Sequence, residues 1–89
     1  MASGALLSTV MELVNEAMKS SPSAVKGLEL TAETLLVEEI GLDSLDLVMV
    51  LVKIQDRLQI EIDLEEIPRF RCVNDIVTHL IEIRRASAA

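Results

Sequence analysis

Hydrophobic positions recur every three to four residues in three separate stretches of this chain, a spacing that predicts amphipathic helices. The first stretch runs from about Gly4 to Lys19. Leu6, Val10, Leu13, Val14 and Ala17 share one face, while Glu12, Asn15, Glu16 and Lys19 lie elsewhere on the wheel. The serines and Pro22 of "SSPS" end it, because that composition favours a turn. The second stretch runs from Ser44 to about Leu58. The last runs from Val73 to about Arg84, with Ile76, Val77, Leu80, Ile81 and Ile83 as its apolar positions. Arg84 and Arg85 suit the negative C-terminal end of that helix, and "ASAA" after them reads as a frayed tail. A further short helix is predicted near Leu64 to Ile67, limited by Pro68.

The connections are less regular. Residues 20–43 form a long segment, and a loop of that length counts against a compact domain unless it is pinned. Val25, Leu28, Leu30, Leu35, Leu36, Val37 and Ile40 are the side chains available to pin it. Thr31 and Glu33 resemble a helix start, which is compatible with a short helical turn from Thr31 to Val37. "LQIEIDL" (58–64) alternates like a strand but has no second strand to pair with. It reads as an extended connection whose Ile60 and Ile62 pack inward or toward a partner. The prediction is an all-α, four-helix bundle with a long first loop and a short third helix. One domain spans residues 1–89, with an ordered core of about 4–85.

The second helix carries more apolar surface than a core needs. At about 100° per residue, Leu47, Val50, Leu51, Ile54 and Leu58 form one stripe, assigned to the core. Leu45, Val48, Met49 and Val52 form another, edged by Gln55 and Asp56, with Asp46, Lys53 and Arg57 on the remaining flank. A chain of 89 residues is too small to bury this helix on all sides. The second stripe is therefore expected to be exposed at least in part, and contiguous exposed apolar surface marks partner sites. Packing against the long loop or a second copy is the alternative.

Charge narrows the partners. The formal net charge is −7, and between Glu29 and Glu66 eleven acidic side chains face only Lys53 and Arg57. An acidic rim around an apolar helix suits an enzyme with a basic docking surface; a solvated face that confers only solubility is the bland alternative. The same charge argues against nucleic-acid phosphates, and Phe70, the single aromatic, offers no stacking platform for bases. Cys72 is the only cysteine and His79 the only histidine, which excludes an internal disulfide and most metal or Ser-His chemistry. No metal site and no catalytic residue is assigned. "MASGALLSTVMELV" lacks a basic leader, Glu12 interrupts its apolar run, and no segment reaches the roughly 18 apolar residues of a membrane span. The expectation is a cytoplasmic protein.

Asp43-Ser44 opens the second helix. Both are good N-cap residues, because their oxygens accept first-turn amide hydrogens, and capping alone could account for them. The same geometry also makes a serine hydroxyl accessible near the positive end of the helix dipole, where an attached phosphate is favoured. "GLDSLDLV", the apolar helix after it, "LQIEID", a short acidic helix and a final apolar helix together resemble an acyl carrier protein over roughly Leu6 to Ile83.

That resemblance implies 4′-phosphopantetheine attached covalently to Ser44 by a phosphopantetheinyl transferase, with Asp43 assisting the transferase at its metal site. It implies a carrier that is not an enzyme, holding acyl groups as thioesters and delivering them to acyl-loading and acyl-processing enzymes, with no nucleic acid or membrane span involved, and as a monomer. By position, Leu45, Val48, Met49 and Val52 would meet the partner, with Asp46, Gln55 and Asp56 at the rim. Val50, Leu51, Ile54, Ile62 and Ile67 are candidates for a groove that shelters an acyl chain, although core packing explains them equally well. Met49 and Gln55 stand where fatty-acid carriers commonly have acids, and Lys53 and Arg57 add positive charge. This favours a specialised, polyketide-like set of partners over general fatty-acid synthesis. Cys72, where a capping Thr or Ser is common, reads as a small, partly buried residue, and His79 as a surface or boundary residue. The start and length favour a free-standing carrier.

Three other readings compete. "GLDSL" superficially resembles the "GDSL" hydrolase signature, but Leu42 interrupts it and His79 follows Asp75 by four positions instead of three. A helical adaptor that merely binds a basic partner would need no modification of Ser44. A carrier of aminoacyl groups would share the attachment chemistry.

Overall fold

The computed structural model describes residues 2–25 and 27–88. Three α-helices, α1 (Ala2–Ser20), α2 (Ser44–Leu58) and α3 (Val73–Ala88), are joined by a 3-10 helix at Leu64–Arg69 between α2 and α3. The molecule is all-helical; among the described residues the one β-type pairing is an isolated bridge between Leu35 and Cys72. The last helix continues through Ala86 and Ser87 to Ala88, so the tail expected to fray is helical up to that point. α1 likewise extends beyond the expected Gly4–Lys19 at both ends.

The apolar stripes meet as their periodicity requires. Leu6, Val10, Leu13, Val14 and Met18 of α1 are buried, α1 packs against both α2 and α3, and Val73, Ile76, Val77 and Leu80 close the core from α3. From α2 come Leu47, Val50, Leu51 and Ile54. At about 25 cal/mol per Å² of apolar surface, each such side chain stabilises the fold by roughly 1.5–3 kcal/mol relative to exposure. Arg57 also reaches Glu12 of α1 at 3.6 Å, but both side chains are largely exposed, so this pair contributes little.

α2 ends where Gln59 turns left-handed at φ 54°, its Nε2 donating to the Asp56 carbonyl at 2.6 Å. The strand-like 58–64 segment is then drawn back onto the helix. The Ile62 amide donates to Gln55 Oε1 at 2.7 Å. This side-chain bond does what a neighbouring strand would otherwise do, and it delivers Ile62 into the core while Ile60 remains half-buried. Phe70 follows the 3-10 helix into the core, with its ring 5.2 Å from that of half-buried His79.

The 20–43 connection is pinned by fewer side chains than its composition offers. Ala24, Leu36, Ile40 and Leu42 are buried and Leu28, Leu30 and Leu35 are half-buried, but Val25 and Val37 are exposed. Thr31 starts no helix of its own. Its amide donates to Thr34 Oγ1 at 2.8 Å, and the turn stops there. A single helical turn comes later, where Glu39 and Gly41 amides bond the carbonyls of Leu35 and Val37.

Gly41 closes this loop. It has φ +88°, and a Cβ there would lie 2.8 Å from the Ser23 carbonyl oxygen. Gly41 in turn accepts a hydrogen bond from Ser23 Oγ at 2.9 Å, and Val25 donates to Ile40 at 2.8 Å, so residues 23–25 and 40–41 are laced together. Gly41→Ala combines a left-handed backbone with a clash against main chain. It is expected to destabilise the fold by about 2 kcal/mol, seen as a lower urea midpoint with an unchanged m-value.

Candidate functional site

Ser44 is the first residue of α2, and it is exposed. Its neighbours explain why it is held in place there. Leu42, two residues earlier, is fully buried and anchors the chain. Asp43 is the N-cap in extended conformation; its Oδ1 accepts from the Asp46 amide at 2.9 Å, while Asp46 Oδ2 accepts from the Asp43 amide at 3.2 Å. This reciprocal capping box satisfies two amides that a helix start leaves open. The other oxygen of Asp43 carries no hydrogen bond among the described residues.

A third residue, invisible to the motif, completes the arrangement. Ser21 is 3% exposed, and its hydroxyl donates to Asp46 Oδ2 at 2.8 Å. The end of α1 thereby holds the carboxylate that caps α2. The signal available in the sequence was only "SSPS", which reads as a turn.

The residues expected to meet a partner do not share one environment. Leu45 is 67% exposed, Met49 51% and Val52 46%, and they form a row along the open side of α2. Val48 is half-buried, and Asp56 is exposed. Asp46 and Gln55 are half-buried and already engaged, Asp46 with Ser21 and Asp43, Gln55 with the Ile62 amide. The free rim of the row is therefore Lys53 and Asp56.

A pocket of about 290 Å³ opens beside Ser44, walled by Val37, Leu47, Ile67, Pro68 and Phe70, with Glu38 and Arg71 at its edge. Of the groove candidates only Ile67 lines it. Val50, Leu51, Ile54 and Ile62 are packed in the core. Sequence periodicity could not supply Val37 or Phe70, since they lie outside α2 and come beside the serine only through the fold.

This site fits a phosphate-linked arm. The hydroxyl is accessible, it stands at the positive end of a 15-residue helix where anions are favoured, and an apolar recess with one guanidinium lies next to it. Cys72 precedes α3 and is half-buried; its amide and that of Arg71 both donate to Asp75 Oδ2, so the cap of α3 is made by the acid three residues on. Among the described residues no cluster of His, Cys, Asp and Glu could hold a metal ion, and no helix is long and apolar enough to cross a membrane.

Ser21→Ala removes the donor that fixes Asp46. It is expected to cost about 1–2 kcal/mol and to speed amide exchange at Asp46 and Leu47 more than in the rest of α2, which hydrogen-exchange NMR resolves.

The family described as "Phosphopantetheine attachment site" matches residues 8–80. An acyl carrier protein of Wolinella succinogenes is 32% identical over 76 residues, covering 85% of this chain and 93% of the relative. One of Clostridium perfringens is 33% identical over 54 residues, covering 61% and 71%. The meromycolate extension acyl carrier protein of Mycobacterium leprae is 28% identical over 75 residues, covering 84% and 61%. With its helical architecture and this match over most of its length, the chain belongs to the acyl carrier protein family and carries phosphopantetheine.

Proposed function

We propose that Ser44 is the attachment residue and that the chain serves a specialised, polyketide-like pathway as a monomeric cytoplasmic carrier with no catalytic activity of its own. The observation that carries the attachment is the exposed hydroxyl of Ser44 at the first position of a doubly capped helix, within the span matched by the attachment-site family. When attached, the group supplies a thiol on a long flexible arm, to which acyl cargo is joined as a thioester.

The protein's own residues do the rest. The capping box and Ser21 hold the backbone at the start of α2, so that Ser44 stays exposed where a transferase can reach it. Asp43 uses one carboxylate oxygen for the cap and keeps the other open toward a transferase-bound metal ion. Leu47, Ile67 and Phe70 offer an apolar recess within reach of the arm's base. Leu45, Met49 and Val52 present the apolar contact to acyl-loading and acyl-processing enzymes, whose basic docking surfaces complement the acidic middle of the chain.

The specialised pathway is supported by what α2 lacks. After Asp46 its next acid is Asp56, and Met49, Lys53, Gln55 and Arg57 fill the exposed and half-buried positions around it. A docking enzyme selecting for a row of acids would find an apolar centre instead. The M. leprae relative is a meromycolate extension acyl carrier protein by name, and that name supports this reading.

Incubation of the unmodified chain with coenzyme A, magnesium and a broad-specificity transferase should add one phosphopantetheine by intact mass, and Ser44→Ala should add none. Modification elsewhere, or none on the wild type, overturns the assignment. Met49→Glu is expected to change turnover by the cognate enzyme at least tenfold, as a buried apolar contact of roughly 1.4 kcal/mol or more would, while circular dichroism shows unchanged helix content.

A further inference from the structure

A second cavity lies on the other side of α2, away from Ser44. It has about 180 Å³ and sits between the C-terminal half of α1 and α2, walled by Leu13, Ala17, Pro22, Met49 and Val50, with Lys53 at its mouth. We propose that this cleft is a recognition notch for a single apolar side chain of a partner enzyme, and that Lys53 pairs with a carboxylate one helical turn from that anchor. This role rests on the carrier reading above and adds the chemistry of the partner's contact.

The size selects the occupant. A cavity of about 150 Å³ accepts a molecule the size of benzene, so a cleft of about 180 Å³ has the volume for one Leu, Met or Phe side chain against its apolar walls, with Ser20 and Ser21 also lining it. Ser44 lines the other pocket and not this one, which separates the notch from the base of the prosthetic arm. Met49 belongs both to the wall of the notch and to the exposed row Leu45–Met49–Val52. An enzyme resting on that row therefore covers the notch as well, and an anchor in a pocket at the middle of a contact is where binding energy concentrates.

Charge selects what stands beside the anchor. Asp46 borders the notch, and its Oδ2 is already engaged by Ser21 and the Asp43 amide. Arg57, one turn beyond Lys53, reaches Glu12 at 3.6 Å. Lys53 is exposed and has no ion pair among the described residues. A docking surface that is basic throughout would bring like charge against it, so a carboxylate opposite Lys53 is the complement. A second copy of this chain is a poor occupant, since two chains of net charge −7 repel.

The test uses the ¹⁵N-labelled, phosphopantetheinylated chain and two basic amphipathic helical peptides. Each has one Leu anchor; one has Glu a turn later and the other has Lys there. Shift changes centred on Leu13, Ala17, Met49 and Val50 are expected, with the Glu peptide binding roughly threefold to tenfold tighter. Lys53→Glu should reverse that preference, and Ala17→Leu, which fills the notch, should weaken both peptides. If Ala17→Leu fails to fold, the reversal by Lys53→Glu still decides. Equal affinities for the two peptides, shifts centred on Leu47, Ile67 and Phe70, self-association in place of peptide binding, or no shifts at all would overturn the notch. Failure of Ser44 modification would instead sink the carrier reading, and the same titration on the unmodified chain would still judge the notch.

Discussion

A three-residue polar clasp governs this molecule's useful surface. Ser21, Asp43 and Asp46 share hydrogen bonds of 2.8 to 3.2 Å that join the end of α1 to the start of α2. A helix start leaves amides without partners, and an exposed one frays unless side chains take their place. Here Asp46 is held from two directions, one of them a buried hydroxyl. The first turn of α2 is thereby tied to the end of α1, although Ser44 itself stands in solvent. Gly41 supports the same point from behind, because only a residue without Cβ lets 40–43 pass against Ser23.

With its first turn held, α2 can serve two environments at once. Leu47, Val50, Leu51 and Ile54 face inward, while Leu45, Met49 and Val52 remain largely exposed. Exposed apolar side chains in a row favour association, and the strong net negative charge opposes it between copies of the chain while leaving basic partners attracted.

Two cavities flank α2. One includes Ser44 and is closed by Ile67, Pro68 and Phe70 from the 3-10 helix and the residue after it. The other is bounded by α1 and opens onto the exposed row at Met49. α2 forms a wall of both, with Leu47 on one side and Met49 and Val50 on the other.

The helices, the inward stripe of α2 and the Asp43-Ser44 start were legible in the sequence, since periodicity and capping are local and depend on residues within one or two turns. The carboxyl end of α3 was misread as fraying because "ASAA" has no apolar stripe, yet alanine favours helix without one. Four things were settled only by tertiary structure. Gln55 became a tether for Ile62, and Ser21 became a support for Asp46. The recess beside Ser44 drew walls from Val37 and Phe70 as well as from Leu47 of α2, and Val25 and Val37 stayed exposed in a loop whose apolar side chains all looked able to pin it. Each of these depends on which distant segment arrives next to a given side chain. Hydrophobic spacing says which face of an element turns inward, but it holds no information on what that face will meet.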